Sequence, residues 1–338
     1  MQMANIKYKV CVLTLTYANR WQFLEQVLKR VLSFAPVTQV VVVNNAALYN
    51  VEESAGQLND SRVTVLNNAE NLGSAGGYKQ TLEYAYQQTD ADMVWLLDDD
   101  NLPDEASLDI LLKNWDEIAG ANDQKALYCL REDRPPHVKI GRGQDPGRYY
   151  LVPNNFMGFS IFNIFKNRLY KARDKFADTS AYLDKVTMPY VPYGGLLMHR
   201  AMIGLIGFPD EQFYLYVDDS EYTYRITKNG GAIWLIPECK VVDIDQSQGL
   251  TYQPKAFHSH LLDQWSFRTY YAVRNRMYFY SRNAVSSALI FGINKNLYLA
   301  YLWIISILSS KRQEYGKFLT AVNDGLKGVM GKAENGKW

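Results

Sequence analysis

Four short apolar segments in the first third of the chain alternate with segments of helical periodicity. The apolar segments are rich in β-branched residues and cover residues 8–17, 38–46, 62–68 and 91–100. Between them, residues 21–33 and 75–88 place apolar side chains at helical spacing. Near-continuous hydrophobic strands that alternate with helices are typical of a parallel sheet covered on both faces. The pattern therefore predicts an α/β fold with a mostly parallel sheet flanked by helices.

Polar residues follow each of these predicted strands. The carboxyl ends of parallel strands lie at one edge of the sheet, where α/β proteins bind their ligands. The residues that the pattern brings to this edge are Thr16, Tyr17, Asn19, Arg20, Asn44, Asn45, Asn71, Gly73 and the aspartates at 98–100. The sequence therefore predicts a ligand site at this edge.

Three consecutive carboxylates, Asp98, Asp99 and Asp100, end the fourth segment. Side chains alternate along an extended strand, so we expect Asp98 and Asp100 to point the same way and Asp99 the opposite way. Two converging carboxylates raise each other's pKa unless a cation lies between them. Oxygen ligands suit Mg²⁺ or Mn²⁺. The alternative is a solvated acidic turn before the helix that follows Asp104.

A second acidic cluster, DDSEY, contains Asp218, Asp219 and Glu221. Enzymes often keep two carboxylates in distinct environments for distinct roles, so one cluster could hold a metal while the other supplies a general base. The alternative is the capped first turn of a helix, where acidic residues are common.

A glycine-rich segment, NAENLGSAGGYKQ at residues 68–80, opens the second predicted helix. Amide groups at a helix N-terminus attract anions, so a diphosphate is a plausible ligand there. The segment matches neither the Walker A loop nor the dinucleotide-binding fingerprint. The alternative is an ordinary turn.

The bulk composition excludes some classes of function. The 36 basic residues are balanced by 35 acidic ones, which argues against a general nucleic-acid binder. The three cysteines lie far apart, which argues against a disulfide framework and a zinc site and fits a reducing compartment. The N-terminal segment has no signal-peptide pattern, so we expect a cytoplasmic protein.

The character of the chain changes after residue 265, where arginines interleave with aromatic residues. Residues 288–308 are apolar but are interrupted by Asn294, Lys295 and Asn296, which leaves each part too short to cross a bilayer. One interpretation is a pair of amphipathic helices, peripheral on the inner face of the cell membrane. The other is a helical subdomain packed on the rest of the protein.

Several motifs occur together and in order: VLTLTYANR, VVVVNNA, NLGSAGGYKQTL, WLLDDDNLPD, the DDSEYTYRI segment and YYAVRNRMYF. Over residues 8–280 the chain resembles inverting glycosyltransferases of family two, in particular bacterial galactofuranosyltransferases and rhamnosyltransferases. The resemblance implies a GT-A fold, which is Rossmann-like, over residues 1–265. Residues 1–118 would bind the nucleotide sugar, 119–265 would supply the acceptor and base half, and 266–338 would form a helical extension.

The resemblance also implies roles for individual residues. Asp100 would bind Mn²⁺ or Mg²⁺, Asp98 would contact the ribose or the metal, and Asp219 would be the general base, with Asp218 orienting the acceptor hydroxyl. The other donor-binding residues would be Thr16, Asn19 or Arg20, and Asn45 around the base and ribose, and Asn71, Gly73 and Gly76 near the diphosphate. The donor would be a UDP-sugar first and a dTDP-sugar second, and the acceptor a saccharide or a lipid-linked saccharide of cell-surface polysaccharide synthesis.

One position departs from the family pattern. Asp243 stands where the family usually has a histidine that ligates the metal. Asp243 is therefore the expected third ligand, unless His258 or His260 takes that role. Two alternative functions stay open, a sugar-nucleotide pyrophosphorylase and a non-enzymatic, calcium-dependent carbohydrate-binding module.

Overall fold

The structure is a computed structural model that describes residues 7–164, 166, 170, 180–245, 252–253 and 255–338. The chain forms two compact units. The first comprises Met1–Pro146, Ala181–Glu211 and Asp219–Gln248, and the second comprises Gly147–Ser180, Gln212–Asp218 and Gly249–Trp338. The boundary predicted at residue 265, and the two functional halves before it, stay predictions.

The first unit is built around a mixed β-sheet. Its strands are β1 (Val10–Ala18), β2 (Val37–Ala47), β3 (Val63–Asn68), β4 (Met93–Leu96), β5 (Asn101–Pro103), β6 (Lys125–Leu130), β7 (Val186–Met188), β8 (Leu196–His199) and β9 (Ala232–Asp243). Its helices are α1 (Trp21–Leu32), α2 (Val51–Gly56), α3 (Gly73–Gln88), α4 (Ser107–Glu117), α5 (Pro135–Gly141), α6 (Arg200–Ile206) and α7 (Asp218–Lys228). All four predicted strands and both predicted helices are therefore confirmed.

The strand order is β3-β2-β1-β4-β8-β6-β9-β5, and β7 pairs with β9. The four strands foreseen from the sequence are mutually parallel. Strand β8 then runs antiparallel to both β4 and β6, and β9 is parallel to β6 but antiparallel to β5 and β7. The sheet is flanked by helices as predicted, and it is parallel in its first half and mixed in its second.

The core explains why the hydrophobic pattern specifies these elements. In α1 the residues Leu24, Val27, Leu28 and Val31 recur at helical spacing, and all four are fully buried. They belong to one apolar cluster with side chains of β1, β2 and β4. An amphipathic helix gains most of its stability from burying such a face.

The second unit is helical, with α8 (His260–Asp263), α9 (Phe267–Asn283), α10 (Ala288–Leu308) and α11 (Arg312–Lys327). Its apolar core is formed by side chains of α9, α10 and α11 together with Phe156. The expectation that Asn294, Lys295 and Asn296 leave each apolar part too short to cross a bilayer is wrong by length and composition, because α10 is one continuous helix of 21 residues. Asn294 is tolerated inside it because its side chain is buried and hydrogen-bonded. Among the described helices, α10 alone has the length and apolar composition that a membrane-crossing helix needs.

Candidate active site

A buried arginine joins several carboxylates at the edge of the sheet beyond β1 and β4. Arg20 Nε donates to Asp99 Oδ1 at 2.9 Å, Nη2 donates to Asp100 Oδ2 at 2.5 Å, and Nη1 donates to Asp245 Oδ2 at 2.5 Å. None of the four side chains is more than 11% exposed. The Arg20 guanidinium, expected near the nucleotide, is thus engaged by three carboxylates.

The three aspartates do not continue the strand, and the predicted alternation of Asp98 and Asp100 against Asp99 is wrong. Strand β4 ends at Leu96, and a turn follows in which the Asn101 amide donates to the Asp98 carbonyl at 3.1 Å. The turn places Asp99 and Asp100 together on Arg20, while Asp98 Oδ1 accepts a hydrogen bond from the Tyr78 hydroxyl at 2.8 Å. Asp98 is the exposed member, with 40% of its side chain accessible.

A second buried arginine, Arg131, lies just beyond the end of β6. Its Nη2 donates to Asp243 Oδ2 at 2.5 Å, and its Nη1 lies 3.6 Å from Asp98 Oδ2. Asn101 completes the arrangement, because its Nδ2 donates to Asp100 Oδ1 at 3.2 Å and to Asp243 Oδ1 at 3.1 Å. The three predicted metal ligands, Asp98, Asp100 and Asp243, are therefore brought to one place.

Negative charge exceeds positive charge in this cluster. Six carboxylates contact the two guanidinium groups, from Asp98, Asp99, Asp100, Asp133, Asp243 and Asp245. Burial raises the pKa of Asp99 to about 6, against the lowering effect of Arg20. Burial, and then the charges of Asp98, Asp243 and Asp99, raise the pKa of Asp100 to about 8. An added cation would relieve this repulsion.

The donor set suits a hard divalent cation, since it consists of carboxylate oxygens with one accessible member. In the described part of the chain, however, no group of three or more histidine, cysteine, aspartate or glutamate side chains already has the arrangement of a metal site. Arg20 and Arg131 hold Asp100 and Asp243 by ion pairs instead. The residues therefore fit a metal by the chemistry of their oxygen atoms, while in this structure Asp100 and Asp243 pair with arginines.

A glycine is required at position 194 because the backbone approaches this cluster closely. A Cβ atom at this position would lie 1.8 Å from Asn101 Oδ1 and 2.8 Å from Asp98 Oδ2. Contacts shorter than 3 Å force the neighbouring atoms to move. The glycine therefore leaves the space in which Asn101 orders the carboxylates.

The predicted diphosphate loop is organised by Asn45 at the end of β2. Its Nδ2 donates to Asn71 Oδ1 at 3.1 Å and to the Gly73 carbonyl at 3.0 Å, and its Oδ1 accepts from the Leu72 amide at 2.8 Å. Gly73 has a φ of 72°, which favours glycine. Asn45, Asn71 and Gly73 therefore form one connected group, and their separate roles towards the base, ribose and diphosphate stay predictions.

Helix α3, which starts in this loop, connects it to the aspartates. Tyr78, in the second turn of α3, is fully buried and donates to Asp98. Gly76 lies in the first turn, where a Cβ would come 2.7 Å from Leu72 Cβ, so close packing also accounts for this glycine. The loop and Asp98 are thus held by the same helix.

Asp219 lies in the first turn of α7. Its Oδ1 accepts from the Ser220 amide at 2.6 Å and from the Ser220 hydroxyl at 3.1 Å. Burial raises the pKa of Asp219, the charge of Asp98 raises it further, and Arg134 lowers it. The charge of Asp98 therefore disfavours ionisation of Asp219. A carboxylate with a raised pKa is a better proton acceptor.

The remaining predicted residues occupy varied positions. Thr16 is buried and its hydroxyl lies 3.2 Å from the Tyr49 hydroxyl, whereas Asn19 is exposed after β1. Asp218 is buried at the first residue of α7. The histidine alternatives belong to the second unit, where His258 Nδ1 lies 3.0 Å from Asp263 and His260 packs edge-on against Tyr252.

Sequence reasoning missed four residues of this site: Arg131, Asp245, Tyr78 and Asn101. Arg131 follows the apolar strand KALYCL directly, which is the same signal that identified the polar residues after β1 to β4. Asp245 stands two residues after Asp243, at the end of β9. Tyr78 gave no signal, because a buried aromatic side chain in a helix is ordinarily part of the core.

Comparison with known proteins gives a family match over part of the chain. Residues 11–175 match the family described as Glycosyl transferase family 2, which is just under half of the chain. A search of curated proteins gave no match.

Solved structures share the fold at low sequence identity. The chain is similar to GalNAc-T7 with UDP, GalNAc and Mn²⁺ (TM-score 0.54, 15% identity), over 86% of this chain and 54% of that one. It is also similar to the mannosyltransferase PcManGT from Pyrobaculum calidifontis in complex with GDP-Man and Mn²⁺ (TM-score 0.50, 17% identity), over 94% of this chain and 76% of that one. A third structure is S. aureus TarS (TM-score 0.50, 11% identity), with 94% and 55% covered. The chain thus spans about half the length of the first of these.

These similarities confirm the predicted GT-A architecture with a helical C-terminal part. The residues matched by the family model include α1, the loop at Asn71–Gly73, the aspartates at 98–100 and Arg131. The match to the glycosyl transferase family 2 model is thus confined to residues 11–175, which include most of the residues of the candidate site.

Proposed function

We propose that this protein is a metal-dependent, inverting glycosyltransferase that moves a sugar from a nucleotide-diphosphate donor to a saccharide or lipid-linked acceptor. The observation that carries the proposal is the position of Asp98. Its exposed carboxylate contacts Tyr78 of the helix that starts in the glycine loop, and its charge acts on Asp219. On this proposal, Asp98 would lie beside the donor diphosphate and Asp219 would be the proton acceptor. The family 2 match supports the same class of enzyme.

The donor would lie along the edge formed by β1, β2 and the start of α3. Thr16, Asn19 and Asn45 would border the base and ribose, and the loop of Asn71, Gly73 and Gly76 would face the diphosphate. Because Arg20 already bonds three carboxylates, we assign it to holding the aspartates in place rather than to the nucleotide. Asp98 is accessible enough to reach the donor.

Asp98, Asp100 and Asp243 would hold the metal, and Mn²⁺ and Mg²⁺ both suit carboxylate oxygens. When bound, the cation would supply Lewis-acid stabilisation of the charge that develops on the leaving diphosphate. Asn101 and Arg131 would keep Asp100 and Asp243 turned towards it.

Asp219 would accept the proton of the acceptor hydroxyl, and Asp218 would orient that hydroxyl. The acceptor oxygen then forms a bond to the anomeric carbon while the bond from that carbon to the diphosphate oxygen breaks. The electron pair of the broken bond leaves with the diphosphate. Attack from the opposite side inverts the anomeric configuration.

The identity of the donor nucleotide sugar is a more specific proposal. The titles of two similar structures name UDP with GalNAc and GDP-Man, each with Mn²⁺, which supports a nucleotide-sugar donor in general. From the sequence resemblance we propose UDP-galactofuranose first and dTDP-rhamnose second. The proposed role is in cell-surface polysaccharide synthesis.

Thermal unfolding with nucleotides tests the proposal. The protein is heated with UDP, dTDP or GDP, each with and without Mn²⁺, and compared with Asp100→Ala. We expect one nucleotide to raise Tm only when Mn²⁺ is present, and we expect this rise to vanish in Asp100→Ala. Asp104→Ala is the matched control, since Asp104 is an exposed aspartate a few residues away.

The other outcomes separate the alternatives. The absence of any nucleotide-dependent change in Tm would contradict the proposed function. Stabilisation by Ca²⁺ and a saccharide without a nucleotide would support a carbohydrate-binding module. Synthesis of a nucleotide sugar from a sugar phosphate and a nucleoside triphosphate would support a pyrophosphorylase.

A further inference from the structure

Helix α10 presents a continuous apolar stripe to its surroundings. Six exposed side chains recur at intervals of three or four residues: Leu289 (75% exposed), Ile293 (40%), Leu297 (42%), Tyr301 (58%), Ile304 (50%) and Leu308 (58%). At about 100° per residue, these positions fall within an arc of about 120° along a helix about 30 Å long. Trp303, 52% exposed, borders the stripe. A row of this length exceeds the scattered apolar residues that a protein surface normally carries.

The opposite face of α10 is already covered by the second unit. Leu302 and Ile305 are buried, and Tyr298 packs against Phe156 and Phe318 at ring-centroid distances of 5.5 Å and 6.3 Å. Asn294 Nδ2 donates to the Asn154 carbonyl at 2.8 Å, and its Oδ1 accepts from the Ile161 amide at 3.0 Å. A membrane-spanning helix is apolar all round, whereas this one has a face fixed on protein by polar contacts. The stripe is therefore the uncovered side of a helix whose other side is packed against the second unit.

The charge of the surrounding region favours an anionic partner. Residues 266–338 contain eleven lysines and arginines and three aspartates and glutamates, although the whole chain carries a net charge of +1. Arg312 and Lys327 of α11 are exposed. Two copies of such a region would repel each other, whereas a layer of anionic lipid headgroups would attract it.

We propose that the stripe of α10 docks on the surface of an anionic lipid bilayer, with the helix lying in the plane of the membrane. The leucines and isoleucines would enter the boundary between headgroups and acyl chains. Tyr301 and Trp303 are the residue types enriched at that depth. The exposed basic side chains Arg282 of α9 and Arg312 and Lys327 of α11 would supply attraction to the headgroups. This surface lies entirely within the second unit, so the inference does not depend on the transfer reaction.

Vesicle sedimentation of the full-length protein tests the proposal. The probes are phosphatidylcholine vesicles with and without about a third of phosphatidylglycerol, at low and at high salt. We expect binding to the anionic vesicles, weaker binding to neutral ones, and release as salt screens the charges. The double variant Leu297→Glu/Tyr301→Glu should bind at least tenfold more weakly, because two apolar contacts are replaced by charges of the wrong sign.

The matched control is Leu205→Glu, which changes a leucine of similar exposure, 45%, in the first unit. It should bind anionic vesicles as the wild type does, and circular dichroism should confirm that all variants are folded. A second variant, Arg312→Gln/Lys327→Gln, should weaken binding to anionic vesicles and leave the weak binding to neutral ones unchanged. The proposal would be overturned if the wild type bound no vesicles at low salt, or if Leu205→Glu lost as much binding as the double variant. A wild-type dimer that Leu297→Glu/Tyr301→Glu converts to a monomer without any vesicle binding would also overturn it, and would identify a second copy as the occupant.

Discussion

Arg20→Met should lower the stability of the first unit more than the substitution of a charged residue on its surface would. The substitution keeps the length of the side chain and removes the guanidinium that bonds three carboxylates at 2.5–3.0 Å. Those carboxylates are at most 11% exposed, so the discount for solvent screening at the surface is small. Removal of one partner from a buried ion pair typically costs about 3–5 kcal/mol, because the remaining charge is left uncompensated. We expect a loss of that size at neutral pH.

The assay is urea unfolding followed by far-UV circular dichroism, with hydrogen exchange of the β1 and β4 amides as a local measure. Lys29→Met is the control, since Lys29 pairs with Glu25 at 2.8 Å on the exposed face of α1 and should contribute only about 0.3–0.5 kcal/mol. Adding Asp99→Asn to Arg20→Met should restore part of the stability, because it neutralises one of the carboxylates left behind. If Arg20→Met cost no more than Lys29→Met, the network would not be what holds the aspartates together.

Three further predictions concern catalysis and its geometry. Asp219→Asn should lower kcat by orders of magnitude while nucleotide binding, measured by calorimetry, is kept; an equal loss of both would make the residue structural. In the wild type, kcat/KM should fall as pH falls through the raised pKa of Asp219, at a pH above that of an ordinary aspartate, since the base must be deprotonated to accept a proton. Gly194→Ala should lower the free energy of unfolding by about 1–3 kcal/mol and abolish the Mn²⁺-dependent rise in Tm, because the added Cβ displaces Asn101. If Mn²⁺ still raised Tm in this variant, the role given to Asn101 would be wrong.

Much of the first half of the fold follows from local sequence signals. The run VVVV in β2 clearly indicates a strand, because a strand buried on both faces needs a continuous apolar sequence. The periodic apolar positions of α1 clearly indicate a helix, because an amphipathic helix buries one stripe of side chains. The second half was less predictable. Strands β5, β7 and β8 have only three or four residues, and the antiparallel position of β8 between β4 and β6 depends on contacts distant in sequence.

The sequence by itself determined which residues could form a site: the aspartates at 98–100, Asp219, Asp243 and the asparagines of the glycine loop. The aspartates at 98–100 and the asparagines were identifiable because polar groups after apolar strands meet at the edge of an α/β sheet. Asp219 was identifiable as part of a second acidic cluster, and Asp243 by the resemblance to family two glycosyltransferases. Only the tertiary structure decided their pairings. Strand β4 stops at Leu96, so a turn, not a strand, orients the carboxylates. Arg20 and Arg131 then reach the carboxylates from the ends of β1 and β6. Long flexible side chains pair with groups that are close in space, and the spacing of residues in the sequence does not reveal which groups those are.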